Sequence, residues 1–305
     1  PESVAAMEAA GKGRVVASFG SMVERIDLNQ TDPSPDLPEG ERATVKFPHP
    51  FLTDPAVRKA LSMAIDRQVI AELAYGPAGR PTCTITPVPA GYAPAAQDCL
   101  TQDLDGARAV LEQAGWLPGP DGVRQKDGQR LSMLFQTTVN PVRQDEQALI
   151  KQWWSEIGVE TELKAVDGAS FFGADPGNPD SQARFQADAE MYTDAYYLPD
   201  PASFLSKFTC ARIPSPATQW QGNNTPRFCD ADYDAGITAL HATADIARRQ
   251  EIAKQLEARL IGDGHYALPL IHRGMVSAHV NTLAGILPNG WEGQLWNVAD
   301  WSRTK

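Results

Sequence analysis

A strand–helix–strand alternation in the middle of the chain restricts the fold more than any other feature of the sequence. Strands are predicted in the runs LSMLFQTT and VETELKAV, and the helix Val142–Ile157 lies between them. Gly158 ends that helix, and the second strand covers Val159–Ala165. Because such a unit joins two parallel strands by a right-handed crossover, it predicts an α/β lobe.

Helix signals of similar strength precede this unit. Asp54 is a favourable N-cap, and Pro55 suits the first position of a helix. Apolar residues then recur at helical spacing, at Val57, Leu61, Ile65, Ile70 and Leu73. Gly76 and Pro77 end this helix, and a second helix is predicted over Leu104–Gln113.

Shorter strands and one long helix are predicted elsewhere. The strands are Arg14–Phe19 and Ala267–His272, with an extended segment at Ile26–Asn29. The run GPDGVRQKDGQRLSMLFQ predicts a hairpin, because its DG pairs are turn signals between short strands. A long amphipathic helix is predicted over residues 231–262, with an interruption near residues 243–245.

The four cysteines form two local pairs, Cys83 with Cys99 and Cys210 with Cys229. Each pair brackets a stretch rich in proline, glycine or asparagine, which cannot become ordered by burial alone. A disulfide would offset roughly 3 kcal/mol of chain entropy in each case. Two disulfides would indicate an oxidising compartment, and four free, buried thiols are the alternative.

Composition and charge narrow the class of function. The chain has 305 residues, of which 42% are hydrophobic and 21% are charged, as in ordinary globular proteins. Its formal net charge is −11, and an acidic surface repels nucleic-acid phosphates and anionic lipid. No apolar run is long enough to span a bilayer. The first residues lack the features of a signal peptide, so we expect that it was removed or that the chain begins downstream of it.

No motif for catalysis or phosphate binding is present. The patterns GxSxG, HExxH, GxGxxG and GxxxxGK[ST] are all absent. His265 and His272 lie in or beside a predicted strand and could face one site, although surface or core-edge positions explain them more simply. The cysteines lack zinc-ligand spacing, and the hairpin lacks the ligand spacing of a calcium loop. We therefore expect no enzyme activity, no metal and no cofactor.

Four segments follow one another along nearly the whole chain. They are FLTDPAVRKALSMAIDRQVIAELAYGPAGRPT, LDGARAVLEQAGW with the hairpin after it, MYTDAYYLPDPASFLSKFTC with QWQGNNTPRFCDADYDAGI, and ALPLIHRGMVSAHVNTLAGI ending in QLWNVADW. Together they resemble the family 5 (cluster C, peptide/nickel type) extracellular solute-binding proteins of ABC importers. Each segment alone is weak, but their common order makes the resemblance specific.

The resemblance implies a type II periplasmic-binding-protein-like α/β fold, in which two lobes close on a solute around a hinge. Family members are longer, so the chain is expected to be a C-terminal portion. Residues 1–46 and 277–305 would belong to a truncated N-terminal hinge lobe, and residues 47–276 would form the C-terminal ligand-binding lobe. The protein is expected to be a periplasmic or extracellular monomer that serves an ABC permease, with lipid anchoring through a missing N-terminus as an option.

The resemblance also selects the irregular, aromatic tract Glu190–Phe204 as the ligand site. Asp194 lies where peptide-binding relatives place an acid that pairs with the α-ammonium group of the solute, an anchor worth roughly 1.5–3 kcal/mol. Asp200 is the alternative acid, because AYYLPDP is longer than the usual D-Y-x-D-P form. The other candidates for ligand contacts are Tyr192, Tyr196, Tyr197, Phe204, Trp220, Asn29 and Glu24. In the competing interpretation Asp194 forms a turn and the tyrosines pack in the core. Asp66 and Arg67 are expected to be structural, through salt bridges on the helix surface.

The function predicted from this resemblance is the substrate-binding component of an ABC importer for peptides or peptide-like solutes. Within the same family, an oligosaccharide, an opine or a nickel chelate is the alternative solute. A charged anchor such as Asp194 favours zwitterionic solutes, whereas a sugar site would depend more on tryptophan stacking. A secreted hydrolase and a chemosensory receptor are the less favoured alternatives.

Overall fold

The structure, a computed structural model, describes residues 6–7, 9–38, 40–94 and 98–304. Its strands are β1 (Gly13–Leu28), β2 (Gly79–Pro81), β3 (Leu117–Pro118), β4 (Arg124–Lys126), β5 (Gln129–Arg130), β6 (Ser132–Thr138), β7 (Glu160–Val166), β8 (Ala189–Asp194), β9 (Ala267–Val280), β10 (Leu283–Ala284) and β11 (Ser302–Arg303). Its α-helices are α1 (Pro55–Met63), α2 (Arg67–Ile70), α3 (Leu104–Gln113), α4 (Pro141–Glu156), α5 (Gly168–Phe171), α6 (Ala202–Leu205), α7 (Ala231–Ala242) and α8 (Ile246–Glu257). Turns of π-helix extend α2 over Ala71–Tyr75 and α8 over Ala258–Gly262.

One mixed sheet has the strand order β2-β9-β1-β8-β6-β7. β6 is parallel to β7 and to β8, whereas β1 pairs antiparallel with β8 and β9, and β2 pairs antiparallel with β9. The predicted crossover is the β6–α4–β7 unit, so the prediction of an α/β fold is confirmed. The predicted hairpin is present as the small sheet β3-β4-β5.

β1 and β9 are much longer than the strands predicted from the sequence. β1 is continuous over 16 residues, where two separate segments were expected, and β9 has 14 residues. The two strands pair with each other from Gly13 with Val280 to Asp27 with Ala267, with register shifts between Phe19 and Val23 and beside Glu24. The register shift between Phe19 and Val23 is a bulge within this continuous strand, so the chain does not break between the two predicted segments.

The helix predicted from Asp54 onward is divided in two. Asp54 caps α1 as expected, and its side chain accepts a hydrogen bond from the Ala56 amide at 2.9 Å. Asp66 caps α2, because its side chain accepts a hydrogen bond from the Val69 amide at 3.0 Å. The second cap restarts the helix at Arg67, and apolar periodicity alone cannot reveal such a restart. The interruption predicted near residues 243–245 is present between α7 and α8.

The described residues form two large hydrophobic cores and a separate cluster of three residues, Val166, Phe171 and Tyr192. The larger core packs α1–α4 against one face, with the buried Trp154 in contact with Phe135 at a ring-centroid distance of 5.3 Å. The indole of Trp154 donates to the Leu61 carbonyl at 3.0 Å, which satisfies its polar atom. The smaller core packs α6–α8 around Phe208 and Tyr233. Within the described residues, no helix is long and apolar enough to cross a membrane.

Both disulfides expected from the sequence are confirmed. Cys83 is bonded to Cys99 and Cys210 to Cys229, across sequence separations of 16 and 19 residues. The second bridge closes the loop that carries Trp220 and Asn224. The Asn224 side-chain amide donates to three carbonyl oxygens, those of Phe208, Thr209 and Phe228, at 2.7–3.0 Å.

Replacing Cys210 and Cys229 together by serine is expected to lower the free energy of unfolding by roughly 3 kcal/mol, because the unfolded chain regains the entropy of an open loop. Urea denaturation of the oxidised wild type and of the double variant measures this difference. Wild-type protein treated with a reductant is the control; it loses both disulfides and should be no more stable than the double variant. A double variant as stable as the wild type would contradict the prediction.

Candidate functional site

The carboxyl ends of β6, β7 and β8 lie at one edge of the sheet, because these strands are parallel. This carboxyl edge is marked by Thr138, Val166 and Asp194, the last residues of the three strands. Since β1 is antiparallel to β8, Val23 in the second half of β1 lies opposite Asp194 at the same edge. Ligands of open α/β sheets bind outside the carboxyl ends of their strands, which makes this edge the candidate site.

Charged side chains are concentrated at the carboxyl edge in two clusters. Thr193 and Asp194 point to opposite faces of the sheet, because side chains alternate along a strand. The Asp194 cluster consists of Arg25, Asp27, Tyr192, Asp194 and Lys207. The Glu24 cluster consists of Glu24, Arg143, Thr193 and Arg273. The two clusters therefore flank the sheet at the end of β8.

The Asp194 cluster is organised around a buried guanidinium. Arg25 donates from Nε to Asp27 Oδ1 at 2.8 Å, from Nη2 to the Tyr192 hydroxyl at 2.8 Å and from Nη1 to Asp194 Oδ2 at 3.1 Å. Lys207 Nζ lies 3.0 and 3.1 Å from the two oxygens of Asp194. Arg25 and Asp27 are buried, whereas the side chains of Asp194 and Lys207 are 20% and 28% exposed. Solvent therefore reaches only the outer ion pair.

Charge balance keeps Asp194 ionised. Burial opposes ionisation, but Arg25 and Lys207 together lower the pKa of Asp194. Burial likewise disfavours the charged form of Arg25, yet Asp27, Tyr192 and Asp194 raise its pKa well above its usual value. With two cations and two carboxylates the Asp194 cluster is electrically neutral. Asp194 therefore presents a partly exposed carboxylate that can accept a hydrogen bond from a charged donor.

The Glu24 cluster places two arginines on one buried carboxylate. Arg143 Nε lies 2.7 Å from Glu24 Oε1, and Arg273 Nη1 lies 3.1 Å from Glu24 Oε2. The Thr193 hydroxyl lies between them and bonds both to Glu24 and to Arg273. Arg143 also donates to the Thr138 hydroxyl at 2.7 Å. These contacts join α4, β1, β8 and β9 at the carboxyl edge.

Glu146 lies behind this cluster, one turn further along α4 than Arg143. Its side chain is buried, and neither of its oxygens accepts a hydrogen bond of ordinary geometry from the described residues. Burial and the charge of Glu24 raise the pKa of Glu146 to about 8, although Tyr75, Arg143 and Arg273 act in the opposite direction. Glu146 is therefore predominantly neutral at pH 7.

The aromatic residues selected from the sequence fall into two groups. Tyr192 and Phe204 are buried inside the lobe, at 3% and 2% exposure, where both lie within 6.0 Å of the Arg25 guanidinium. Tyr196 is also buried, and its hydroxyl bonds to the backbone of Val88. Tyr197, by contrast, is 89% exposed. Among these four candidates, it is the aromatic side chain that presents most of its surface to solvent.

The remaining predicted site residues lie apart from the two clusters. Trp220 is buried beneath the Arg184 guanidinium at 4.4 Å and lines a cavity of about 160 Å³ with Phe172. Asn29 follows the end of β1 that pairs with Ala189, at the opposite end of β8 from Asp194. Its side chain donates to the carbonyls of Phe185 and Ala187, at 2.8 and 3.1 Å. The structure thus brings Tyr192, Phe204 and Asp194 together, but not Asn29.

The alternative acid and the residues expected to be structural have partners of their own. Asp200 bonds to Arg249 at 2.7 Å and to the Tyr92 hydroxyl at 3.1 Å. Arg67 is fully buried and donates to the carbonyls of Pro269 and Cys99, at 2.6 and 2.8 Å. Burial without a carboxylate partner lowers the pKa of Arg67 to about 9. Arg67 thus contacts backbone carbonyls inside the lobe, whereas a salt bridge on the helix surface was expected.

Sequence reasoning missed the cations of the carboxyl edge. No catalytic or phosphate-binding motif contains Arg25, Arg143, Lys207 or Arg273. Most of their carboxylate partners are distant in sequence, up to 249 residues for Arg273 with Glu24, although Arg25 also pairs with Asp27, two positions away. The one local signal was Glu24 itself, a charged residue in a segment that becomes a central strand. No group of three or more potential metal ligands occurs within the described residues.

Comparison with known proteins identifies the family. The model of the bacterial extracellular solute-binding proteins, family 5 Middle, matches residues 1–213. Protein XP55 of Streptomyces lividans is 26% identical over 241 residues, which cover 79% of this chain and 40% of that protein. The glutathione-binding protein GsiB of Salmonella typhimurium is 24% identical over 239 residues, which cover 77% of this chain and 43% of the relative. The chain thus spans about two-fifths of the length of these relatives.

The fold is shared with solved structures. The oligopeptide-binding protein AppA from Bacillus subtilis, in complex with a nonapeptide, superimposes with a TM-score of 0.73 at 20% identity. The match covers 99% of this chain and 55% of AppA. At this level of identity the similarity shows the fold alone.

Proposed function

The chain belongs to the family 5 bacterial extracellular solute-binding proteins, and we propose that it serves as part of the substrate-binding component of an ABC importer for peptides or peptide-like solutes. The partly exposed carboxylate of Asp194 at the carboxyl edge carries this proposal. An α-ammonium group is a strong donor, and a partly desolvated carboxylate is its natural acceptor. The names of GsiB and AppA, which bind glutathione and an oligopeptide, favour the same class of solute.

We propose that capture occurs by closure of two lobes, with β1 and β9 as the connecting strands. On β1, residues 13–19 pair with β9 alone. Residues 23–27 pair with both β9 and β8, and Leu28 pairs with β8. Ile26 and Leu28 belong to the larger core. These contacts support a lobe boundary at the bulge near Gly20, earlier than the predicted boundary at residue 46. The division of residues 1–46, 47–276 and 277–305 into lobes stays a prediction.

Close backbone packing supports a hinge at this bulge. Gly20 lies so near Gly290 that a Cβ atom added to Gly20 would stand 2.1 Å from the Gly290 carbonyl oxygen. The Trp291 ring, next in the chain, contacts the Tyr196 ring at a centroid distance of 5.8 Å. The segment after β9 therefore touches both the hinge strand β1 and the aromatic tract of the candidate site. Glycine at both positions permits this close approach of the two backbones.

A binding role without catalysis is part of this proposal. One hydroxyl–imidazole contact joins Ser206 Oγ to His241 Nε2 at 2.9 Å. It does not fit an activated nucleophile, because the Ser206 hydroxyl donates its proton to the Ala202 carbonyl at 2.7 Å. We further propose that the protein acts as a periplasmic or extracellular monomer that delivers its solute to a membrane permease. Lipid anchoring is left as an option.

Replacing Asp194 by asparagine is expected to weaken peptide binding by about 10- to 100-fold, because a neutral amide replaces a charge-assisted acceptor. Isothermal titration of the full-length protein with trialanine and with N-acetyl-trialanine measures the effect. Acetylation, which removes the ammonium group, should reduce affinity by a similar factor in the wild type and have little further effect in Asp194→Asn. The two changes act on one interaction and should not be additive.

Asp200→Asn is the matched control, because Asp200 is the alternative acid and is paired with Arg249. It should bind both peptides with wild-type affinity if Asp194 is the anchor. The reverse pattern would assign the anchor to Asp200. If titration with a disaccharide produces heat of binding and titration with peptides produces none, the assignment of peptides as the solute class is overturned.

A further inference from the structure

We propose that Arg273 forms a second anchor at the carboxyl edge, which binds a carboxylate group of the solute. This inference rests on the proposed function and narrows its solute class to zwitterions that carry a free carboxylate. The anchor belongs to the Glu24 cluster, on the opposite face of β8 from Asp194. The two ends of one solute would thus be held at the same edge of the sheet.

The hydrogen bonds of Arg273 leave one side of its guanidinium open. Nη1 donates to Glu24 Oε2 at 3.1 Å and to the Thr193 hydroxyl. Within the described part of the chain, no acceptor bonds to its Nε or Nη2, and the side chain is 34% exposed. The Nε and Nη2 groups form the side of a guanidinium that binds a carboxylate through two parallel hydrogen bonds. The free donors therefore have the geometry that a carboxylate requires.

The charge of the Glu24 cluster favours an anion at this position. Arg143 and Arg273 supply two positive charges, and the shared Glu24 carboxylate supplies one negative charge. Glu146 is the other acid in contact with the cluster, and burial keeps it predominantly neutral at pH 7. One positive charge is left without a counter-ion, in contrast to the neutral Asp194 cluster. A solute carboxylate would neutralise it.

Arg273 is also held in place before any solute arrives. β9 lies between β1 and β2 in the sheet, and Arg273 itself pairs with Gly79 of β2. The guanidinium packs against the Tyr75 ring at 5.3 Å, while Nη1 is fixed by Glu24 and Thr193. A side chain ordered in this way loses little further entropy when it binds, so the anchor is preorganised.

A comparison of trialanine with trialanine amide tests the inference in the wild-type protein. The full-length protein is titrated with both at pH 7, and the free acid is expected to bind about 10- to 100-fold more tightly than the amide. Equal affinities for acid and amide, together with measurable binding of both, would overturn the second anchor and leave the proposed function intact. No binding of either form would overturn both.

Substitutions then assign the preference to one side chain. In Arg273→Gln, the affinities for acid and amide should differ by no more than about twofold, because the two parallel donors are lost. Arg273→Lys, which keeps the charge but not the fork of donors, should retain a reduced preference. A general loss of structure would lower both affinities and leave their ratio unchanged, so the ratio separates binding from folding.

Arg80→Gln is the matched control for charge. Arg80 is an exposed arginine on β2 that pairs with His272, the neighbour of Arg273. Arg80→Gln changes the net charge by the same amount as Arg273→Gln but leaves the Glu24 cluster unchanged. The ratio of acid to amide affinity is therefore expected to stay at its wild-type value. A ratio that stays at its wild-type value in Arg273→Gln, with the affinity for the amide also unchanged, would overturn the assignment to Arg273.

Discussion

Replacing Arg25 by methionine is expected to lower the free energy of unfolding by about 3–5 kcal/mol. Arg25 is 1% exposed and bonds to Asp27, Asp194 and the Tyr192 hydroxyl. Without it, the fully buried carboxylate of Asp27 keeps hydroxyl donors from Tyr192 and Thr225, each at 2.5 Å, but loses its cation. An unpaired charge in a buried site costs much more than the net contribution of the pair itself.

Urea denaturation followed by tryptophan fluorescence measures this difference. Arg130→Met is the control, because Arg130 forms only exposed ion pairs, with Asp121 and Glu160, and its loss should leave the stability close to that of the wild type. A double variant, Arg25→Met with Asp27→Leu, should recover part of the lost stability, since no buried charge is then left unpaired. An Arg25→Met protein within 1 kcal/mol of the wild type would contradict the assignment.

The parts of the fold that the sequence predicted are those set by local chemistry. The β6–α4–β7 crossover follows from short-range periodicity and from Gly158, which ends the helix with a positive φ of 84°. The disulfide pairs follow from cysteines that are close in sequence. The lengths of β1 and β9 depend instead on pairing between residues that are more than 200 positions apart, which no local pattern encodes.

The candidate site was predictable only in part, for the same reason. Asp194 was identified through a resemblance, but its cationic partners Arg25 and Lys207 became visible only when the chain was folded. Tyr192 and Phe204 were selected as aromatic ligand contacts, and in the structure both pack against Arg25. Sequence cannot distinguish these roles, because an aromatic side chain suits a buried cation and a solute equally well.

Replacing Glu146 by glutamine is expected to remove a pH dependence from the stability of the protein. Burial raises the pKa of Glu146 in the folded state to about 8, above the ordinary value of 4.5 that applies in the unfolded chain. Between these values the folded state retains a proton that the unfolded state releases. The free energy of unfolding therefore decreases as pH rises, by up to about 1.4 kcal/mol per pH unit, and the contribution is present in full only below the unfolded pKa.

Glutamine carries no titrating proton, so Glu146→Gln should gain stability relative to the wild type as pH rises from 5 to 8. Unfolding free energies measured in urea at four pH values across this range test the difference curve. Burial also raises the pKa of Glu190. Because Glu190 is present in both proteins, its contribution cancels when the two unfolding free energies are subtracted. Glu162→Gln, a change at an exposed position on β7, should give a curve parallel to that of the wild type. If Glu146→Gln also runs parallel, the carboxyl is ionised in the folded protein, and the Glu24 cluster then carries no surplus positive charge for a solute carboxylate.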